Sequence, residues 1–150
     1  MFSFVIVHPS ASVYLDQAYI DTISQSIEKE VPIAQNGVLN IAFLPDEELQ
    51  KLNNSYRWID STTDVLSFHY FEDFSGLSED EVAGEIILSE SKILSQSKEY
   101  GHTAEKEAYI LILHGILHIL GFDHETDEEY EEMRKHEEKL RQILDLSTTR

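Results

Sequence analysis

Apolar residues recur along this 150-residue chain with two different periods, and the changes from one to the other mark out its elements. Short apolar runs at 2–7, 38–44, 65–71 and 82–88 predict four strands. Leu15, Tyr19, Ile23 and Ile27 share one face of a helix predicted over 15–30. Pro45 followed by Asp46, Glu47 and Glu48 opens another, reaching about 56, since proline suits a first turn and acids favour the positive end of the dipole. Two more span 89–100 and 103–120 and end at Gly101 and Gly121. The second of these is apolar nearly all round in its C-terminal half, so it belongs at the centre of the fold. Thr126 with Glu129 forms a capping box for a last helix, whose stripe Tyr130, Met133, Leu140 and Leu144 is expected to pack on the core together with Tyr109.

With strands in the first half and helices dominant in the second, the expected class is α+β. A small mixed sheet of about four strands packs with about five helices, all in one domain spanning 1–150. The apolar opening segment lacks a basic lead-in and is too short for a signal peptide or a membrane span. The run 108–122 is interrupted by two histidines and two glycines, so no membrane association is expected.

Composition narrows the chemistry. There is no cysteine, which excludes disulfides and thiolate metal sites and suits a reducing cytosol. A net charge of −18 argues against binding phosphate backbones over a broad surface, so any nucleic-acid contact must be local. The acids concentrate at 78–85 and 123–138, which read as a solvated loop and a solvated helix face.

His114 and His118 stand four apart on the central helix, which puts both rings on one face about 6 Å apart. An otherwise apolar segment gains nothing in packing from two imidazoles that need hydrogen-bond partners. Gly121 then lets the chain turn and bring His124 toward the same point. Three neutral nitrogen ligands with a fourth position open to water is the layout of a catalytic zinc site, one ion per chain. Metalloproteases with this spacing carry a glutamate general base directly after the first histidine, where this chain has Gly115, so a peptidase mechanism lacks its base. Zinc-bound water remains available as a nucleophile, because zinc lowers its pKa to about 7. Asp123 is a candidate to accept a hydrogen bond from a ligand imidazole.

The segment His114-Gly-Ile-Leu-His118-Ile-Leu-Gly-Phe-Asp-His124 resembles the signature of the YbeY family of bacterial rRNA maturation factors. A second stretch, from Leu52-Asn53 through Tyr56-Arg57 and Asp60 to Thr63-Asp64-Val65-Leu66-Ser67-Phe68, resembles that family's other hallmark, and Gly84-Glu85-Ile86 resembles a third. The family usually has tyrosine where Phe122 stands, proline at His69 and aspartate at Glu85. The resemblance covers nearly the whole chain. It implies a metal-dependent endoribonuclease acting on single-stranded RNA in small-subunit rRNA maturation and ribosome quality control. Implied partners are ribosomal RNA, the small ribosomal subunit and an assembly GTPase, in the cytoplasm.

The resemblance also bears on single residues. Arg57, within the second hallmark, is the expected catalytic cation, because a guanidinium grips phosphate oxygens in a fork. Asp64 and Glu85 join Asp123 as candidates to support the ligands, although Thr63 and Asp64 together also suit the turn into a strand. Nickel or another divalent ion fits the same donors, and either water or the ribose 2′-hydroxyl could attack. Two other readings stand beside the nuclease: a zinc hydrolase of another substrate such as peptide, and a non-catalytic ribosome-assembly factor containing zinc. The zinc reading predicts that His118→Ala largely abolishes the metal content of the purified protein. Full zinc content in that variant by elemental analysis overturns the assignment.

Overall fold

Strands β1 (Ser3–His8), β2 (Val38–Phe43), β3 (Val65–His69) and β4 (Val82–Leu88) form one sheet in the order β1-β2-β4-β3 in the computed structural model, which describes residues 1–122 and 126–148. β1, β2 and β4 run parallel, and β3 pairs antiparallel with β4 at the other edge. Parallel neighbours need a crossover connection, which α1 (Gln17–Glu30) supplies between β1 and β2. The remaining helices are α2 (Asp46–Arg57), α3 (Glu90–Tyr100), α4 (Ala104–Ile119) and α5 (Asp127–Ile143). The result is the single-domain α+β architecture expected, with a four-stranded mixed sheet and five helices. None of the described helices is long and apolar enough to cross a membrane.

Local chemistry explains the helix starts. The side chains of Asp16, Ser89, Thr103 and Thr126 each accept a hydrogen bond from a backbone N–H in the first turn of α1, α3, α4 and α5. Pro45 takes extended backbone just before α2 instead of joining its first turn, and it has no side chain to cap with. Asp46 accepts hydrogen bonds from the Ser89 and Ser91 hydroxyls, each 2.5 Å long, and so ties the start of α2 to the start of α3. These bonds hold its carboxyl below the usual aspartate range.

The sheet is apolar on both faces. Leu39, Ile41, Phe43, Ile86 and Leu88 join the main core with residues of α1, α3, α4 and α5. Leu66 and Ile87 pack with Leu49 of α2 in a smaller cluster on the opposite face. As its composition predicts, α4 is surrounded: 108–113, 115–117 and Ile119 are all buried. Met133, Leu140 and Leu144 are buried along α5, and Tyr109 is buried on α4. Tyr130 departs from expectation and is 48% exposed. It lies on the right face of α5 but in its first turn, and helical spacing fixes a face without fixing how deeply each turn is buried.

Gly84 lets β3 approach β4. A Cβ at this position would sit 2.2 Å from the Phe68 carbonyl oxygen, which is backbone and cannot yield. Gly84→Ala is therefore expected to destabilise the fold by about 3 kcal/mol or more. Gly76→Ala, whose Cβ meets nothing within 4 Å, should stay within about 0.5 kcal/mol of wild type. Urea unfolding of the two variants checks both values.

Candidate active site

Strand alternation sends Val65, Ser67 and His69 of β3 toward α4, while Leu66 and Phe68 point to α2. Between β3 and α4 lies an open cleft of about 800 Å³, walled on the helix side by Ile110, Leu111, His114, Gly115, His118 and Ile119. Arg57 reaches it from the last turn of α2, and Arg141 from α5. Thr63 and Asp64 line it from the turn before β3.

The two histidines converge as their spacing predicts. Their Nε2 atoms are 2.8 Å apart and the rings meet edge to face, with centroids separated by 4.4 Å. Two lone pairs at that distance repel unless a cation, proton or metal, lies between them. A tetrahedral zinc with Zn–N bonds of about 2.0–2.1 Å sets its ligand nitrogens roughly 3.3 Å apart, a small side-chain rotation from this arrangement. The donor set thus fits zinc. His124 and Asp123, the expected third ligand and its neighbour, lie outside the described residues.

A carboxylate that sequence reasoning missed orients this pair. His114 Nδ1 donates to Glu137 Oε1 from α5, so Nε2, which meets His118, is the ring nitrogen on the cleft side. Burial acts to raise the Glu137 carboxyl, but the His114 hydrogen bond and the charges of His114, Arg141 and His118 outweigh it and hold the group below the usual glutamate range. Arg141 lies 3.7 Å from the other carboxylate oxygen, and its Nε is buried with no hydrogen-bond partner among the described residues. One signal was available in the sequence. Glu137 falls four residues after Met133 and three before Leu140, a charge on an otherwise apolar stripe.

The remaining candidates divide. Asp64 accepts hydrogen bonds from Gln96 Nε2 at 3.2 Å and from the neighbouring Thr63 hydroxyl at 3.3 Å, so it faces the cleft edge and α3. Gln96 also donates to the fully buried Glu107, which pairs with His102 at 2.7 Å. Glu85 is not brought to the histidines. It stands opposite Phe68 in the β3–β4 ladder and therefore shares the α2 face, whereas its neighbour Ile86 lies under Gly115. There it faces Tyr70, whose hydroxyl is pushed up to about 12 by burial first and then by the Glu85 charge and hydrogen bond. His69 lines the cleft, exposed, with Nδ1 donating to the Phe71 carbonyl at 3.0 Å. Phe122 packs against His136, ring centroids 4.8 Å apart. Gly115 lines the cleft, and a Cβ there would meet Ile86 of β4 at 3.5 Å, an ordinary packing distance.

Comparison with known proteins gives a consistent result. The family described as "Endoribonuclease YbeY" matches residues 10–145. A protein named Endoribonuclease YbeY from Thermoanaerobacter sp. (strain X514) is 39% identical over 137 residues, covering 85% of this chain and 86% of that protein. One of the same name from Caldanaerobacter subterraneus subsp. tengcongensis is 40% identical over 141 residues, covering 88% and 89%. The solution structure of TM1509 from Thermotoga maritima shares the fold, with a TM-score of 0.53 at 24% identity over 95% of this chain and 91% of that one.

The placement of the two glutamates predicts different effects on metal binding. Glu137→Gln, which removes the charge that orients His114, should weaken zinc by about 10- to 100-fold in chelator competition. Glu85→Gln, across the sheet, should leave zinc affinity unchanged.

Proposed function

The chain belongs to the YbeY endoribonuclease family, and we propose that it is itself a zinc-dependent, single-strand-specific endoribonuclease. The observation that carries this reading is the meeting of two imidazole nitrogens on the wall of the same cleft that Arg57 lines. His114, His118 and His124 would hold the ion. When bound, zinc supplies Lewis acidity and activates water near neutral pH.

The chain's own groups do the rest. Arg57 binds the nonbridging oxygens of the phosphodiester to be cut and meets the negative charge that grows on them. Glu137 fixes the tautomer and tilt of His114, and Arg141 balances the Glu137 charge. Val65, Ile110, Leu111 and Ile119 give the cleft apolar walls that strengthen these charge contacts by displacing water. The peptide-hydrolase alternative is disfavoured because Gly115 stands where such enzymes carry their glutamate base.

The setting we propose, with family membership as its support, is maturation of small-subunit rRNA and ribosome quality control in the cytoplasm, with the small subunit and an assembly GTPase as partners. The net charge of −18 supports delivery by such partners, because a protein with little basic surface has weak long-range attraction for RNA.

Arg57→Ala tests the catalytic assignment. If Arg57 acts on charge that develops in the transition state, the variant should keep its fold and zinc and cleave a short unstructured RNA about 10²- to 10³-fold more slowly, while RNA affinity falls by less than about tenfold. Single-turnover cleavage with affinity measured in parallel reads this. Wild-type cleavage by the Arg57 variant removes its catalytic role, and activity persisting in His114→Ala removes the enzyme reading.

A further inference from the structure

Large aromatic side chains are exposed in one region beside the cleft. Trp58 is 89% exposed, Tyr56 67% and Tyr70 54%. Tyr56 and Trp58 flank the cleft residue Arg57 in the chain, and Tyr70 follows the cleft residue His69. The two segments meet in space. The Tyr56 ring packs edge to face on Phe68, with centroids 5.2 Å apart, and lies close enough to Tyr70 to contribute to its raised pKa.

Trp58 is hard to account for as part of the fold. It caps α2 in the left-handed region, with φ 56° and ψ 29°, where glycine or asparagine is favoured. Its backbone N–H satisfies the carbonyls of Asn53 and Asn54, a service that any residue gives. The indole packs too little to offset the backbone strain.

From this we infer that Tyr56, Trp58 and Tyr70 form a stacking platform for unpaired nucleobases of the RNA strand as it leaves the cleft, an inference that rests on the proposed function. Charge decides in favour of bases over phosphates. Between residues 52 and 91 the one Lys or Arg is Arg57, while Asp60, Asp64, Glu72 and Asp73 lie near the aromatic segments in sequence and Glu85 faces Tyr70 in space. A phosphate backbone laid on this surface is repelled. A base presents a neutral π-face to each ring and directs its phosphate outward, so stacking supplies the affinity that the acidic surface withholds. The platform also selects against duplex, whose bases are already stacked on one another.

Trp58 is the only tryptophan, so intrinsic fluorescence reports on this position alone. The probe is an unstructured 2′-O-methyl RNA of roughly ten nucleotides, set against its duplex and against an abasic strand of equal length. The single strand should quench Trp58, and the other two should not. Trp58→Ala should weaken binding about 5- to 100-fold, equivalent to about 1–3 kcal/mol, and Trp58→Phe should restore most of it. Trp58→Gly separates the platform from a structural role: it should raise the melting temperature by suiting the left-handed cap, yet bind RNA as weakly as the alanine variant. If the protein binds the single strand with Trp58 unquenched and Trp58→Ala at wild-type affinity, the platform is wrong while the nuclease reading stands. Equal binding of the abasic strand likewise overturns it. Failure to bind or cleave any RNA overturns the proposed function and the platform with it.

Discussion

Burial of α4 on almost every side is the constraint from which the arrangement of the cleft follows, because a helix removed from water needs a neighbour for each polar side chain it carries. Beside Tyr109, whose hydroxyl accepts the Asp16 N–H, three of the helix's polar side chains show how this need is met. Glu107 is fully buried and is met by His102 and Gln96 from the α3 side. His114 is met by Glu137 from α5, and His118 by His114 itself. The helices packed around α4 are therefore held in register by polar contacts as well as by apolar area. A change on α5 reaches the cleft through Glu137 and through Arg141, which lines it.

The same economy of charge shapes the cleft. Imidazoles and two guanidiniums gather there in a chain that is otherwise strongly acidic, so the cleft brings basic groups together where the rest of the surface has few. Glu137 and Arg141 form a buffer of opposite charges behind the histidines. Without Arg141 nearby, the carboxylate that orients His114 would lie half-buried with less compensation.

Much of this was legible in the sequence because its signals are local. Period-two and period-3.6 patterns, caps such as Thr126 and terminators such as Gly101 depend on residues a few positions apart, and all nine elements lie close to where those signals put them. The His114–His118 pair was legible for the same reason, since one turn of helix fixes its geometry. What was not legible depends on which element lies opposite. Tyr130 has the right spacing yet is 48% exposed, because spacing sets a face and not its depth in the fold. Glu85 has the right family position, but strand alternation, once β4 is paired with β3, turns it to the α2 face. Glu137 was passed over because its partner is on another helix. The charge on an apolar stripe was its only trace.

β3 has a position in the sheet with a dynamic consequence. It is an edge strand with a single ladder of hydrogen bonds, while β2 and β4 each have a neighbour on both sides. It is held from behind by Leu66 and Phe68, in the smaller of the two apolar clusters. Local openings draw on such segments first, well below the free energy of global unfolding. One wall of the cleft thus belongs to a part of the molecule that can exchange its amide protons and open independently, while the opposite wall, α4, is anchored in the core. The two walls of the groove therefore differ in how the sheet and core hold them, one by a single ladder and the other by burial on nearly every side.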